Sequence, residues 1–187
     1  DIVDFSADEL QTVLDLAQRK DLPRVLGGQG VALIFEKPST RTRHSMEMAV
    51  FRLGGHPVFT QRDEIAFDER ESVEDITRVL AGYHGILAAR TFSHETVQRM
   101  AAVSAVPVVN LLSDSSHPLQ AIADVLTMQQ VHGPLAGRKI AYIGDYNNVA
   151  RSLAEACVLL GANLALGCPL GYAATDDELS RLNALGA

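Results

Sequence analysis

The segment that most constrains this chain is a strand-like run that leads into hydroxyls and an arginine at the start of a helix. Val31–Phe35 is a continuous apolar run, typical of a buried strand, and the apolar spacing after residue 45 is typical of a helix. Between them stand Ser39, Thr40, Arg41 and Thr42. The first N–H groups of a helix lack intrahelical acceptors and carry the positive end of the helix dipole. The segment therefore predicts a phosphate site that uses neither a glycine-rich loop nor a metal ligand.

A structural role would account for part of the same cluster. Serine and threonine at a helix start are usually caps, but capping alone explains one hydroxyl and not three with an arginine among them. Arg41 and Arg43 are two positions apart, so their side chains leave a helix in different directions. We therefore expect Arg41 to face the anion and Arg43 to form a structural ion pair.

Composition argues against several classes of function. The chain has 187 residues, 47% of them hydrophobic, which is enough for a core in one or two domains. A net charge of −7 with scattered arginines argues against nucleic acid as a partner. No apolar run approaches the ~20 residues of a membrane helix and no signal peptide is visible, so no membrane partner and a cytoplasmic location are expected. Cys157 and Cys168 are expected to be buried thiols in a reducing compartment.

Strands alternate with helices along the chain, which predicts an α/β fold with parallel sheets covered on both faces. Ser6 and Glu9 form a capping-box pattern that begins the first helix. Strands are predicted at 31–35, 57–60, 85–89, 106–112, 139–143 and 163–166. Helices are predicted after residue 39, from about 68–71, and at 93–104, 118–131, 147–160 and 176–185. The turn-rich stretch 132–137 marks a boundary between domains 1–132 and 133–187.

Two further segments place polar side chains at predicted strand and helix ends. His117 and Gln120 lie three residues apart in a first helical turn, so an imidazole and a carboxamide can converge on a carbonyl oxygen beside an amine. A capping His117 with a solvated Gln120 explains the residues alone equally well. Arg90 ends a predicted strand, at the edge where parallel sheets bind ligands, although a lone arginine there is more often in a surface ion pair.

The turn 144–150 follows the first strand of the second domain without a Gly-x-Gly-x-x-Gly fingerprint, so no dinucleotide is predicted. Asn147 in this turn can simply cap the next helix. The other histidines show no ligand spacing with one another or with the cysteines: His44, His56, His84, His94 and His132. We therefore predict no metal and no other cofactor.

These segments together resemble the aspartate/ornithine carbamoyltransferase family. Residues 35–43, Phe-Glu-Lys-Pro-Ser-Thr-Arg-Thr-Arg, are similar to its carbamoyl-phosphate signature, and the lysine before the proline is similar to the ornithine branch. Arg90, His-Pro-Leu-Gln at 117–120 and the two asparagines at 147–148 match further family segments in the expected order. The resemblance implies two doubly wound parallel-sheet domains of carbamoyltransferase type, the second of them incomplete.

The resemblance also implies a reaction and a set of roles. The carbamoyl group of carbamoyl phosphate would pass to the amine of ornithine, in arginine biosynthesis and within a homotrimer. Arg90 and His117 would polarise the carbonyl, Gln120 would orient the carbamoyl NH₂, and Asn148 would contact the amino acid. The implied phosphate ligands are Ser39, Thr40, Arg41 and Thr42. Arg41, Arg90 and His117 would be the catalytic residues.

Two departures from the family pattern bear on the acceptor amine. The ornithine branch typically has Gln-Leu-Gly-Arg-Gly-Glu-Ser where residues 66–72 are Ala-Phe-Asp-Glu-Arg-Glu-Ser. Ala66 cannot make the polar contact expected there, Asp68 and Glu69 bring negative charge near a phosphate site, and Arg70 is expected to compensate. The family's Asp…Ser-Met-Gly loop and His-Cys-Leu-Pro segment are not in this chain, so a truncated product is expected.

Three alternatives therefore stand beside transfer to ornithine. The first is a carbamoyltransferase for another amine, such as putrescine or aspartate. The second is a non-catalytic fragment that binds carbamoyl phosphate. The third, a dinucleotide-binding α/β module, is disfavoured because the glycine fingerprint is missing.

Overall fold

The computed structural model describes residues 1–186, whose strands form two parallel sheets. The strands are β1 (Gly30–Phe35), β2 (His56–Gln61), β3 (Ile86–Arg90), β4 (Val108–Leu112), β5 (Lys139–Ile143) and β6 (Asn163–Gly167). The α-helices are α1 (Ala7–Ala17), α2 (Thr40–Arg52), α3 (Arg62–Ile65), α4 (Val73–Tyr83), α5 (His94–Val103), α6 (Pro118–His132), α7 (Asn148–Leu159) and α8 (Asp176–Leu185). The α/β prediction is thus confirmed.

Residues 20–114 form one compact unit around a four-stranded sheet in the order β2-β1-β3-β4. β1 and β3 are almost entirely buried, which explains their continuous apolar sequences. The sheet register sets Phe35 between Gln61 and Arg90. The carboxyl ends of these three strands therefore form one edge, from which the loops into α2, α3 and α5 depart.

The second compact unit combines residues 1–19 with the chain from Ser115 onward. It contains the sheet β5-β6 and helices α1, α6, α7 and α8. Leu10 and Leu14 of α1 are fully buried in a core shared with α6 and α7. The predicted boundary at 132/133 would separate α1 from α7; it stays a prediction, with the packing of α1 as an observation that bears on it.

Local geometry explains where the predicted elements differ from the observed ones. The polar stretch after β2 contains the short helix α3, whose four residues are too few to show helical periodicity. Helix α4 begins at Val73 behind the cap Ser72, later than predicted. Asp68 has φ 58°, a left-handed conformation that cannot begin an α-helix.

Within residues 1–186, no helix combines the length and apolar character that crossing a membrane requires.

Candidate functional site

The start of α2 carries the hydroxyls predicted to bind phosphate. Ser39 is the N-cap: its Oγ accepts a hydrogen bond from the Thr42 N–H (3.4 Å) and lies 3.0 Å from Thr42 Oγ1. The capping interpretation is therefore right for Ser39, and Thr42 joins it. The N–H groups of Thr40 and Arg41, at the first two helical positions, still have no intrahelical acceptor. The helix start thus keeps donors for an anion after its cap is made.

The two arginines of this segment have different surroundings. Arg43 Nε donates to Glu47 (2.8 Å), and its guanidinium carbon lies 3.7 Å from the centre of the Phe59 ring. The expected structural ion pair of Arg43 is confirmed. Arg41 is exposed, and it makes no hydrogen bond or ion pair with any residue that the structure describes. Of the two cations, Arg41 alone is available to a ligand without losing a protein contact.

Arg90 lies at the adjoining strand end. Its backbone pairs with Phe35 across β1 and β3, and its carbonyl accepts the Glu36 N–H at 2.9 Å. The Nε of Arg90 is buried without a hydrogen-bond partner among residues 1–186. Burial also holds the pKa of this guanidinium below its ordinary value, because a desolvated charge is penalised. An anion bound here would supply the partner that Arg90 lacks.

Further cations line the same edge of the sheet. The Nζ of Lys37 lies 4.7 Å from the centre of the Phe92 ring, and the guanidinium carbon of Arg62 lies 5.6 Å from it. The Phe92 N–H donates to Glu36 Oε2 at 2.9 Å, which fixes this ring beside the loop into α2. Arg62 was not among the predicted site residues. Its position directly after β2, a parallel strand, is the sequence signal that would have found it.

The second unit holds His117 and Gln120 at the start of α6. His117 is the N-cap residue, but its side chain makes no capping hydrogen bond; its N–H donates to Ser152 Oγ at 3.0 Å. Gln120 is exposed, and its Nε2 donates to Asp124 Oδ1 at 2.9 Å. A ligand that uses the amide of Gln120 must therefore replace the bond to Asp124.

Asn148 is the first residue of α7, behind a well-formed cap. Asn147 Oδ1 accepts the N–H groups of Val149 (3.0 Å) and Ala150 (3.2 Å), so Asn147 is the helix cap that its position suggested. Asn148 is half-buried. The side chain of Asn147 is thus committed to capping α7, and Asn148 follows it as the first helical residue.

An ion network anchors the turn before Asn148. The Tyr146 hydroxyl donates to Glu178 at 2.7 Å, and burial together with this carboxylate raises the pKa of Tyr146. Arg181 binds Glu178 and the buried Glu155, each within 2.8 Å. The bonds from Arg181 lower the pKa of Glu178 to about 2, whereas burial raises the pKa of Glu155. These contacts fix the turn 144–148 against α7 and α8.

Two family models match this chain. Residues 1–130 match "Aspartate/ornithine carbamoyltransferase, carbamoyl-P binding domain", and residues 136–186 match "Aspartate/ornithine carbamoyltransferase, Asp/Orn binding domain". The chain belongs to the aspartate/ornithine carbamoyltransferase family.

Individual relatives agree with this membership. Ornithine carbamoyltransferase of Thermus thermophilus is 46% identical over 191 residues, which cover 98% of this chain and 64% of that protein. Its counterpart from Bacillus subtilis is 40% identical, over 93% of this chain and 56% of that protein. The crystal structure of the Thermus thermophilus enzyme superposes with a TM-score of 0.92 at 43% identity, covering 98% of this chain and 65% of that one. This chain thus spans about 64% of the length of the first of these relatives.

The loop 66–72 departs from the carbamoyltransferase pattern in its charge. Asp68 stands where the ornithine branch has glycine, and its φ of 58° is one that glycine adopts most easily. Its carboxylate is paired with Arg99 at 2.7 and 3.0 Å, and Arg99 also binds Glu74 at 2.7 Å. The expectation that Arg70 compensates is therefore wrong for Asp68. Arg99, 31 residues away in α5, does so instead.

Proposed function

We propose that this carbamoyltransferase chain binds carbamoyl phosphate and belongs to an enzyme that transfers the carbamoyl group to L-ornithine, giving citrulline and phosphate. The observation that carries the proposal lies within one unit: the N–H groups of Thr40 and Arg41 that the Ser39 cap leaves without an acceptor at the start of α2, and the buried Nε of Arg90 at the end of β3, which has no hydrogen-bond partner among residues 1–186. The family membership and the ornithine carbamoyltransferases among its relatives support this substrate pair.

The proposed chemistry is acyl transfer without a protein nucleophile. The amine nitrogen attacks the carbonyl carbon, a C–N bond forms, and the C–O bond to phosphorus breaks as phosphate leaves with the electron pair. The nitrogen gives up one proton as citrulline forms. Charge develops on the carbonyl oxygen and on the departing phosphate, so donors aimed at these two groups lower the barrier.

Each predicted site residue has a role in this scheme. Arg41 and the start of α2 stabilise the leaving phosphate, with the hydroxyls of Ser39, Thr40 and Thr42. Arg90 and His117 polarise the carbonyl, Gln120 orients the carbamoyl NH₂, and Asn148 contacts the amino acid. Positioning of two reactants supplies much of the rate in such a reaction.

The proposal extends to the biological setting of the enzyme. We infer a role in arginine biosynthesis, a cytoplasmic location and a homotrimer, all by analogy with the family. We also propose the boundary between a carbamoyl-phosphate-binding domain, 1–132, and the start of an ornithine-binding domain, 133–187; the ends of the two family models, at 130 and 136, support it.

The phosphate site is tested by replacing Arg41 and Arg43 with alanine in separate variants. We expect Arg41→Ala to weaken carbamoyl-phosphate binding by roughly 30-fold, about 2 kcal/mol, because a charge-assisted contact is lost. Arg43→Ala is the matched control: it breaks the exposed pair with Glu47 and is expected to change the affinity less than about threefold. Isothermal titration calorimetry measures both. Equal losses in the two variants would refute the assignment of Arg41.

The acceptor is tested by product formation with three amines. The chain is incubated with carbamoyl phosphate and ornithine, putrescine or aspartate, and the carbamoylated product is measured by mass spectrometry. Citrulline alone supports the ornithine assignment. If only another amine is carbamoylated, the ornithine assignment is wrong and the acceptor is that amine, as the changed loop 66–72 had left open. Binding of carbamoyl phosphate without any product would support the binding fragment.

A further inference from the structure

We propose that Ser152 is a positioning residue that holds His117 in place for the carbamoyl group. The inference rests on the proposed function, because it concerns how the proposed carbonyl ligand is held. Ser152 lies in α7, is fully buried, and is not part of the family segments that identified the site.

The contacts of Ser152 converge on the start of α6. Its Oγ accepts the N–H of His117 at 3.0 Å and lies 3.2 Å from Ser116 Oγ, so that either hydroxyl can donate to the other. His117 itself has φ −136° and ψ 67°, outside the helical region. The residue that leads into α6 is thus attached to α7 by its backbone, while its imidazole is not used for capping.

This bonding pattern is unusual for a hydroxyl within a helix of this chain. Serine and threonine inside helices commonly bond back to the carbonyl one turn earlier. Thr12, Thr77 and Thr127 do so here, at 2.6–2.8 Å. Ser152 instead reaches a backbone N–H that lies 35 residues away in sequence. Its hydroxyl therefore fixes the backbone of His117 and is not explained by a bond within α7.

Helix α7 relates this contact to the second substrate. Asn148, the proposed amino-acid ligand, precedes Ser152 by four positions and so lies on the same face of the helix, one turn earlier. Helix α7 thereby carries Asn148, which is proposed to contact the amino acid, and also fixes the backbone of His117, which is proposed to contact the carbamoyl group. A buried hydroxyl with this geometry is a means of aligning the two reactants.

The test compares two ligands in variants of the chain. Carbamoyl phosphate and inorganic phosphate are titrated by calorimetry into the wild type and into Ser152→Ala, Ser152→Thr and Thr77→Val. We expect Ser152→Ala to weaken carbamoyl phosphate roughly tenfold and inorganic phosphate less than twofold, since phosphate has no carbamoyl group to place. Ser152→Thr keeps the acceptor and should restore much of the affinity. Thr77→Val removes another buried hydroxyl, outside the site, and should change the affinity for neither ligand.

Amide hydrogen exchange separates positioning from folding. In Ser152→Ala the His117 amide should exchange at least roughly tenfold faster because it loses its acceptor, while the amide of the buried Cys157 in the same helix stays protected. Equal loss of both ligands, no loss of either, or an unchanged His117 amide would overturn the proposal. If the wild type does not bind carbamoyl phosphate, the proposed function fails, and the His117 amide alone then decides whether Ser152 positions this residue.

Discussion

Two arginines at the candidate phosphate site differ in how strongly burial of their guanidinium groups destabilises the fold. Arg41 is exposed, so water solvates its guanidinium. Arg90 has a buried Nε that meets no acceptor in residues 1–186, and its pKa is lowered by that burial. A buried polar atom without a partner destabilises a fold, and function is a common reason to keep one. The cost of Arg90 is expected to disappear when an anion binds.

We expect Arg90→Met to stabilise the ligand-free chain while abolishing its response to carbamoyl phosphate. Methionine fills a similar volume without a charge, so the Tm should rise by on the order of 2 °C, about 1 kcal/mol for a chain of this size. The stabilisation that saturating carbamoyl phosphate gives the wild type should be lost, since binding to the native state raises the Tm only while affinity persists. Differential scanning calorimetry with and without ligand measures both effects.

Arg43→Met is the control for this pair of measurements. It removes a charge from the same segment, but one that is already paired with Glu47. It should leave the ligand-induced rise in Tm intact. A ligand-free Tm several degrees below that of the wild type in Arg90→Met would contradict the idea that Arg90 is a cost in the empty site.

Among the elements, the loop 66–72 depends on a contact that its own sequence does not reveal. The sequence predicted negative charge from Asp68 and Glu69, and that charge is present. It did not predict that Arg99 of α5 would lie between Asp68 and Glu74, because a contact over 31 residues depends on how α4 and α5 pack. The local rule that a residue at positive φ is usually glycine also failed, since Asp68 takes that conformation.

We expect Arg99→Met to lower the stability of the chain at neutral pH and to flatten its dependence on acid. Bonds from Arg99 lower the pKa of both Asp68 and Glu74. A carboxyl group whose pKa is lowered in the folded state contributes its full stabilisation when the pH is above the ordinary pKa of the group. That stabilisation is lost as the pH falls through the lowered pKa. The wild-type Tm should therefore fall below about pH 5, and the variant should show a smaller fall. Thermal melts from pH 7 to pH 3 measure the difference.

Arg78→Met supplies the comparison, since Arg78 also pairs with a carboxylate of α4. Its bond to Asp75 is 3.0 Å long, but both side chains are more than half exposed. Exposed pairs three residues apart contribute little, so this variant should follow the wild-type curve. If Arg78→Met and Arg99→Met change the curve equally, the two-carboxylate contact of Arg99 has no special role.

For the molecule as a whole, patterns local in sequence were predictable and long-range packing was not. The buried strands and the capped helices follow from runs of a few residues, and the residues at the start of α2 follow from one segment. Arg99 and Ser152 were missed because each acts through a partner far away in the sequence, whereas Arg62 could have been found from its position directly after β2. The same limit applies to α1, whose own sequence shows an apolar face but not which core that face joins.

Hydrogen exchange in the native state tests whether α1 unfolds together with the core in which it is buried. Leu10 is fully buried with Val125 and Ala156, whereas Leu87 lies in the core of the four-stranded sheet. We expect Leu10→Ala to lower the free energy of opening for the Ala156 amide by on the order of 3 kcal/mol, because a large buried side chain is lost from that core. The Leu87 amide should change far less. Leu87→Ala should give the reverse pattern.

The alternative outcome is just as informative about the boundary of the domains. If Leu10→Ala instead lowers the free energy of opening for the Leu87 amide, α1 unfolds with the four-stranded sheet, and the boundary at 132/133 describes the folding units as well as the matches to the two family models. If Leu10→Ala lowers the free energy of opening for the Ala156 amide, α1 folds with α6 and α7. The chain would then build its second core from both of its ends, so that removing residues 1–19 should destabilise α7 while the four-stranded sheet keeps its protection.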